Sequence, residues 1–526
     1  MKRLPFDTYT FQKIIETDCL YVDKTDLIYK LTHEVNIAFL SRPRRFGKSM
    51  LCTTLKEYFL GNKDLFKGLM IEQLEKDWVK YPVFHFDMSA LKDGDIKNME
   101  YKIFLQLREY EEMYGVGESE ITAGGKLYGL IKRAIAQTGQ KPVIIIDEYD
   151  APLLSYIDCM EKQEVARNFL QEFYQMIKIC EGDLRFAFLT GITKFSQLSI
   201  FSTLNNLKKI TMMPDYEAIC GITTDELQGE TLKPYIQRLA DDNEWTLDEA
   251  YAKLKERYDG YHFSSRKTDI YNPFSLMNAL ADRELKNYWF DSGTSTFLIK
   301  GLKKYGFDYT EMDDINVPET AFDVPTGNMT NAIPLMFQSG YLTIKDYDKE
   351  VESYRLGIPN KEVRVGFTQS LLPIASNVDS FNSDSLVVSF YCAIRDNDLD
   401  KALTAIQSYI ASIPYDVMTK EDWEDKAKCE KFYQTIIFLM FNFFNRNIQT
   451  EVRSIRGRAD IVMYRPDVVY VLEIKVDKSA DEALKQIDDK GYAIPYADQA
   501  NGRRVVKCGI NISSEKRTVD EWKIVG

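Results

Sequence analysis

Short runs of consecutive apolar residues alternate with longer stretches of helical spacing in the first part of the chain. "NIAFLS" (residues 36–41) is the first run, and "SMLCTTLKEYFL" behind it places apolar residues at helical intervals. "YPVFHFDMS" (81–89) is a second run, followed by helical stretches near residues 95–114 and 124–137. "KPVIIIDEYD" (141–150) drives β-branched residues straight into acids, and a helical stretch near 163–180 leads to "RFAFLTGITK". Runs of this kind fit strands buried on both faces of a parallel sheet. Strands alternating with helices predict a doubly wound α/β domain over residues 1–215.

The pattern then changes. Residues from about 220 to 300 read as helical, as in "TLDEAYAKLKERYDGYHF". "NAIPLMFQSGYLTIKDYDKEVESYRLGIPN" (331–360) reads as helix, strand, turn, strand, compatible with a small winged-helix element. From about residue 385 helices return. The C-terminal part then gives strands at "IQTEVR", "RADIVMYR" and "VVYVLEIKV", a helix at "ADEALKQIDDKGYAI" and a final strand at "RVVKCGINIS".

The chain has 526 residues, which predicts about three to four domains. At 45% hydrophobic and 28% charged it has an ordinary globular composition. A formal net charge of -13 provides no global attraction to nucleic acid, so any such contact must be local. The eight cysteines include no CxxC pair and read as reduced thiols; the three histidines are far apart, which argues against zinc. "MKRLPFDTYT" has no apolar run behind its basic residues, and "TIIFLMFNFF" is about half the length of a membrane helix. A cytoplasmic protein without membrane contact is expected.

"SRPRRFGKSM" (41–50) follows the first strand. The usual phosphate-binding pattern is G-x-x-x-x-G-K-[ST]. Gly47, Lys48 and Ser49 match it, but Arg42 stands at the first glycine position. Gly47 would let the backbone approach the phosphates, Lys48 would reach the β and γ phosphates, and the Ser49 hydroxyl would bind Mg²⁺. Arg42, Arg44 and Arg45 would add positive charge nearby. A basic surface loop before a helix would look the same. The acids of "VIIIDE" add the second half of an ATPase site: Asp147 for Mg²⁺ and Glu148 to polarise water. Thr190, Thr193 and Lys194 follow the next strand as candidate γ-phosphate sensors. The nucleotide contacts expected are Arg44, Arg45, Phe46, Gly47, Lys48, Ser49, Met50 and Lys194, with ATP and Mg²⁺ as cofactors.

A second acidic motif lies near the C-terminus. Twelve residues separate Asp460 from Glu473, and "EIK" puts Glu473 and Lys475 on one strand face. A hairpin would bring Asp460 beside both. Two carboxylates can hold Mg²⁺, which with a nearby lysine can activate water against a phosphodiester. Solvated hairpin charges would give the same letters. Arg453, Arg456 and Arg458 would supply local phosphate contacts.

"YVDKT" (21–25), "FLSRPRRFGKS", "IIIDEYDAPL", "TGITKFSQLSIFSTLNNL", "YDGYHF", "SGYLTI" and "IPNKEVR" together resemble the bacterial AAA-ATPase-like proteins that carry a C-terminal PD-(D/E)XK nuclease-like domain. The resemblance spans nearly the whole chain and implies that arginine at position 42 is a family trait. It implies a multidomain α/β fold: a P-loop ATPase core at 1–215, a helical lid at 216–310, a winged-helix-like region at 311–384, and a helical lead-in with the nuclease-like domain at 385–526. Glu430 resembles the superfamily's additional metal-positioning acid, and Gln486 and Tyr492 its Q-x5-Y element. Ala459 replaces the proline of its motif. "YVDKT" is expected near the nucleotide, with a structural turn as the favoured role; His262 is expected to be a packed lid residue. The implied function is an Mg²⁺-dependent ATPase, possible as a homo-oligomer, coupled to a nuclease acting on nucleic acid, with DNA the expected substrate. The alternative is a nucleotide-gated switch whose nuclease-like domain only binds.

Overall fold

The computed structural model describes the chain except residues 93–94, 194–205, 291–295, 306–311, 313, 324–330, 379, 443–447, 455–456, 466 and 500–502. Two compact units account for it: Met1–Phe307 with Asp313–Glu362, and Asp308–Met312 with Val363–Gly526. Among the described residues no helix is long and apolar enough to cross a membrane.

The first unit is built on a parallel sheet of β1 (Ile37–Ser41), β2 (Val83–Asp87), β3 (Val143–Asp147), β4 (Phe186–Gly191) and β5 (Lys208–Lys209), ordered β2-β3-β4-β1-β5. Every residue of β1, β3 and β4 is buried, as continuous apolar runs require of strands covered on both faces. Alternate residues serve opposite cores. Ile37, Phe39, Ile144 and Ile146 pack with the helices Ile96–Tyr114, Ala123–Thr138 and Met160–Ile179. Ala38, Leu40, Val143 and Ile145 pack with the helix Lys48–Phe59. After β1 the chain crosses to the far edge at β2, steps back through β3 and β4, and reaches β5 on the other side of β1. Such a reversal leaves a crevice at the carboxyl ends of the strands, and the phosphate-loop motif and the acids Asp147 and Glu148 both lie there.

Helices at Lys233–Asp242, Leu247–Tyr258 and Pro273–Asp282 follow, with the short pair β6 (Ile222–Thr223) and β7 (Ile270–Tyr271). The unit ends with β8 (Ile315–Pro318), β9 (Thr343–Asp348) and β10 (Ser353–Gly357), an antiparallel sheet ordered β8-β10-β9 that contains the helix Ile333–Ser339 between its first two strands in sequence.

In the second unit, helices Ser380–Arg395, Leu399–Ala411 and Lys426–Asn442 precede a sheet of β11 (Ile448–Ser454), β12 (Gly457–Tyr464), β13 (Val468–Val476), β14 (Arg504–Ser513) and β15 (Thr518–Val525). The strands run in sequence order, antiparallel except β13 and β14. The helix Ala480–Lys490 supplies the crossover that a parallel pair needs. "RVVKCGINIS" is not the last strand: β15 follows it, and its buried Val519 is flanked by polar residues that mask its strand pattern.

Candidate functional site

Gly47 has φ 86 and precedes the helix Lys48–Phe59, so the loop enters the helix through a left-handed residue. Apart from its two chain neighbours, no residue comes within 4 Å of the position a Cβ would take, so the backbone conformation rather than crowding calls for glycine. Lys48 is buried, and its Nζ donates to the carbonyls of Arg42 at 3.0 Å and Pro43 at 2.9 Å. Burial lowers its pKa, opposed by Glu148 and Asp147. Arg44 through Leu51 line a cavity of about 520 Å³, together with Glu148, the N-terminal segment 5–9, Leu20–Val22, Lys24, Ile219–Ile222, and Phe274, Met277 and Asn278. All the expected contacts from Arg44 to Met50 therefore share one cavity, of a size suited to a nucleotide. Lys194 lies outside the described residues.

Arg42 departs from expectation. It is 1% exposed, and its guanidinium donates to the carbonyls of Ser41, Thr211, Tyr216 and Glu217 at 2.8–3.3 Å while lying 4.0 Å from the Phe263 ring centroid. These contacts point it away from the cavity, and it is not among the cavity's lining residues. Its role is to tie the loop entry to residues 211–217 and to "YDGYHF". Burial brings its pKa down to about 10, so it stays charged at neutral pH. The rest of the loop is gripped in the same way. Arg45 donates to the Tyr288 carbonyl and covers Phe274, the Trp289 indole donates to the Arg44 carbonyl, and Phe46 packs edge-on against Tyr261 and Phe263. Arg44 is exposed beside Phe297.

Asp147 ends β3 beneath the loop. It is 5% exposed, and burial raises its pKa to about 6 against the opposing influence of the nearby Ser49 hydroxyl and the charge of Lys48. Glu148 follows with φ 50, a costly conformation for a residue with a Cβ. Its carboxylate pairs with Lys92 at 2.7 Å. Burial raises its pKa, but Lys92, Lys48 and Arg44 outweigh that and hold it below the ordinary value. Thr190 and Thr193 are committed elsewhere: Thr190 donates to the Leu40 carbonyl and Thr193 to buried Asp150. Asp150 also accepts from the Ile192 and Thr193 amides, bracing β3 against β4.

"YVDKT" does two things. Tyr21, Val22 and Lys24 line the cavity, while Asp23 accepts from Thr25 and the Met70 amide, and Lys24 pairs with Glu226 at 2.5 Å. His262 lies between the Ile344 carbonyl at 2.7 Å and Asp269 at 2.8 Å.

The second unit carries its own cluster. Antiparallel pairing sets Ile461 against Leu472, which brings Asp460 to Glu473, and the Ile474 amide donates to Asp460 at 2.6 Å. Lys475 Nζ lies 2.8 Å from Glu473 Oε1, and the Gln486 amide donates to the same oxygen and reaches the Tyr492 hydroxyl at 3.5 Å. Glu473 is 1% exposed, and its Oε2 is buried without a hydrogen-bond partner. A bare carboxylate oxygen beside a second carboxylate fits a hard cation ligand. Burial raises the Asp460 pKa to about 7, helped by Glu473, and burial also raises that of Glu473. Glu430 is close enough to add to both shifts. Gln434, one turn later on the same helix, donates to Asp460 at 3.2 Å. Arg456 and the side chains of Arg453 and Arg458 lie outside the described residues.

Sequence reasoning missed Lys92, Asp150, Gln434 and the apolar cavity wall. Asp150 had a signal in the third acid of "DEYD"; Lys92 and Gln434 are single polar residues that nothing in the letters distinguishes.

A parallel α/β sheet with a GKS loop and an acidic strand end, and a second sheet carrying D…ExK, define the class. The family model described as a predicted AAA-ATPase matches residues 5–201, and that of the PD-(D/E)XK nuclease superfamily matches residues 428–522. An uncharacterized protein in the vnfD 5' region of Azotobacter chroococcum mcd 1 is 32% identical over 531 residues, covering 98% of each chain. The chain belongs to the bacterial family of predicted AAA-ATPases with a C-terminal PD-(D/E)XK nuclease superfamily domain.

Proposed function

We propose that the chain binds and hydrolyses ATP with Mg²⁺ in its first unit and cleaves nucleic acid in its second, nucleotide state governing cleavage. The observation that carries the first half is that Lys48, Ser49 and Glu148 line one cavity at the strand ends, with Asp147 buried behind Ser49 and Lys48. Lys48 and the amides of the Lys48–Phe59 helix N-terminus would hold the β and γ phosphates, exchanging the loop carbonyls that Lys48 now bonds for the anion. Ser49 and Asp147 would hold the cation. Glu148 would orient and polarise the attacking water. Pro5, Phe6, Phe274 and Met277 would receive the base. Bound Mg²⁺ would neutralise charge building up on the phosphates.

In the second unit Asp460 and Glu473 would hold a divalent cation, with Glu430 supporting them, and Lys475 would position the attacking water. Residues 216–310 would act as a lid and 311–384 as a winged-helix-like region. A cytoplasmic setting, a DNA substrate and self-association complete the proposal.

Wild type is compared with Lys48→Ala and Glu473→Ala for ATP turnover and for Mg²⁺-dependent cleavage of single- and double-stranded DNA and RNA. Lys48→Ala should lose turnover and Glu473→Ala cleavage. Turnover unchanged by Lys48→Ala would refute the first half, and cleavage unchanged by Glu473→Ala the second. A wild type that binds nucleic acid without cutting it would point to the nucleotide-gated switch.

A further inference from the structure

Beneath the nucleotide site, three side chains of different chemistry converge on the sheet face covered by the helix Lys48–Phe59. Cys52 lies one turn after Ser49 on that helix, His85 is on β2 and Asp147 ends β3. One donor atom from each (thiol sulfur, imidazole nitrogen, carboxylate oxygen) lies within 4.8 Å of the other two. Among the described residues no other group of three His, Cys, Asp or Glu side chains meets that separation.

The placement follows from the fold. The β2–β3 register sets His85 opposite Ile145 and Asp87 opposite Asp147, so His85 and Asp147 share a face. Val83 and Ile145, on that face, pack with Leu51, Cys52 and Leu55. The Tyr110 hydroxyl brackets the His85 backbone, accepting from its amide at 2.7 Å and donating to its carbonyl at 2.9 Å. Cys52 is fully buried. An independent observation points the same way: His85 Nε2 is buried and has no hydrogen-bond partner. A polar nitrogen left bare in an interior is costly, and a metal is one way to satisfy it.

We infer that Cys52, His85 and Asp147 bind one borderline or soft divalent cation, with Zn²⁺ as the best match. Sulfur, nitrogen and carboxylate oxygen are the donors Zn²⁺ takes, whereas Mg²⁺ demands oxygen and near-octahedral geometry. Three protein ligands leave the fourth tetrahedral position to water. Thiolate and carboxylate balance the charge of the cation. On binding, the Cys52 S–H bond is replaced by a sulfur–metal bond and the proton leaves to solvent, with no electron transferred.

Asp147 also faces Ser49, which lies close enough to lower its pKa. On the reading of Ser49 and Asp147 as the Mg²⁺ pair, one carboxylate is shared between a hard site above and a soft site below. Zn²⁺ therefore competes with Mg²⁺-nucleotide and holds the first unit inactive.

The test uses the reduced, metal-free full chain and Co²⁺ as a spectroscopic stand-in. One equivalent should give a thiolate-to-cobalt charge-transfer band that one equivalent of Zn²⁺ abolishes. Cys52→Ser and His85→Phe should each weaken Co²⁺ binding by at least about tenfold, while Cys180→Ser on the opposite sheet face leaves it unchanged. Absence of the band in wild type, or its survival in Cys52→Ser, overturns the site whatever the fate of any folding-impaired variant. Neither result depends on ATP hydrolysis, so failure of the ATPase proposal is read separately with Lys48→Ala. Zn²⁺ should also weaken Mg²⁺-ATP binding in wild type and not in Cys52→Ser; equal affinities with and without Zn²⁺ overturn the sharing of Asp147.

Discussion

Arg42 shows how far a motif position can depart from its usual role. A glycine there eases loop entry; here a buried guanidinium secures that entry to three carbonyls at Thr211, Tyr216 and Glu217. Arg42→Ala leaves those carbonyls unpaired, at about 1–3 kcal/mol for each buried acceptor left unsatisfied, and should lower stability correspondingly, read from denaturant midpoints. Arg42→Lys keeps the charge but loses the planar fork and should recover only part of that. Nucleotide affinity per folded molecule should stay within about threefold in both, since a structural residue acts on stability rather than on binding. Lys48→Ala also frees two buried carbonyls, those of Arg42 and Pro43, but it should differ from Arg42→Ala in losing nucleotide affinity per folded molecule. Lys92 gives a second residue-scale prediction. It holds the Glu148 carboxylate at 2.7 Å and keeps it a weaker base. Lys92→Ala frees the carboxylate and raises its basicity, so ATP turnover should rise, by up to about tenfold. A fall in turnover would mean that Lys92 positions Glu148 instead of restraining it.

At the scale of elements, the hairpin of β12 and β13 sets a pH dependence. Asp460 has its pKa raised to about 7 in the folded chain, above the ordinary value near 4. Between those values the folded state binds the extra proton, so metal-free stability contributed by Asp460 is full below about pH 4 and lost as pH rises through about 7. Metal needs the carboxylate, so affinity for Mg²⁺ should instead climb as pH rises through about 7. Asp460→Asn should raise the metal-free melting temperature at pH 8 by roughly 2–4 °C and abolish the Mg²⁺-induced shift. The amide introduced at position 460 and that of Gln434 can both reorient, so no bond needs to be lost. This hairpin was legible in the sequence because strand alternation and twelve intervening residues nearly dictate it. So were β1, β3 and β4, whose apolar runs admit little else. β15 was not, because only isolated residues of it are buried. Nor was the cavity wall, since residues 5–9, 219–222 and 273–278 meet only through long-range packing that no local period encodes. Cys52 and His85 read only as a reduced thiol and an isolated histidine, which argued against zinc, because it is register across two strands and a helix that brings them together.

For the whole molecule, two compact units in one chain make the proposed coupling measurable without any nuclease assay. Two units with separate cores should unfold in two calorimetric transitions. A ligand stabilises the unit that binds it by RT ln(1 + [L]/Kd), about 2.7 kcal/mol at a hundredfold excess over Kd. Mg²⁺-ATP should therefore raise the transition of the first unit by a few degrees in wild type and in Glu473→Gln, and leave Lys48→Ala unmoved. The transition of the second unit decides the coupling. Binding energy in one unit reaches the other only if the nucleotide changes an interaction between them. If nucleotide state governs cleavage, Mg²⁺-ATP should shift the second transition as well, and that shift should vanish in Lys48→Ala. By reciprocity, nucleic acid bound to the second unit of Glu473→Gln should change ATP affinity by the same factor that ATP changes affinity for nucleic acid. A second transition that ignores ATP, with nucleic-acid affinity equally unmoved, would leave two activities sharing a chain without governing one another.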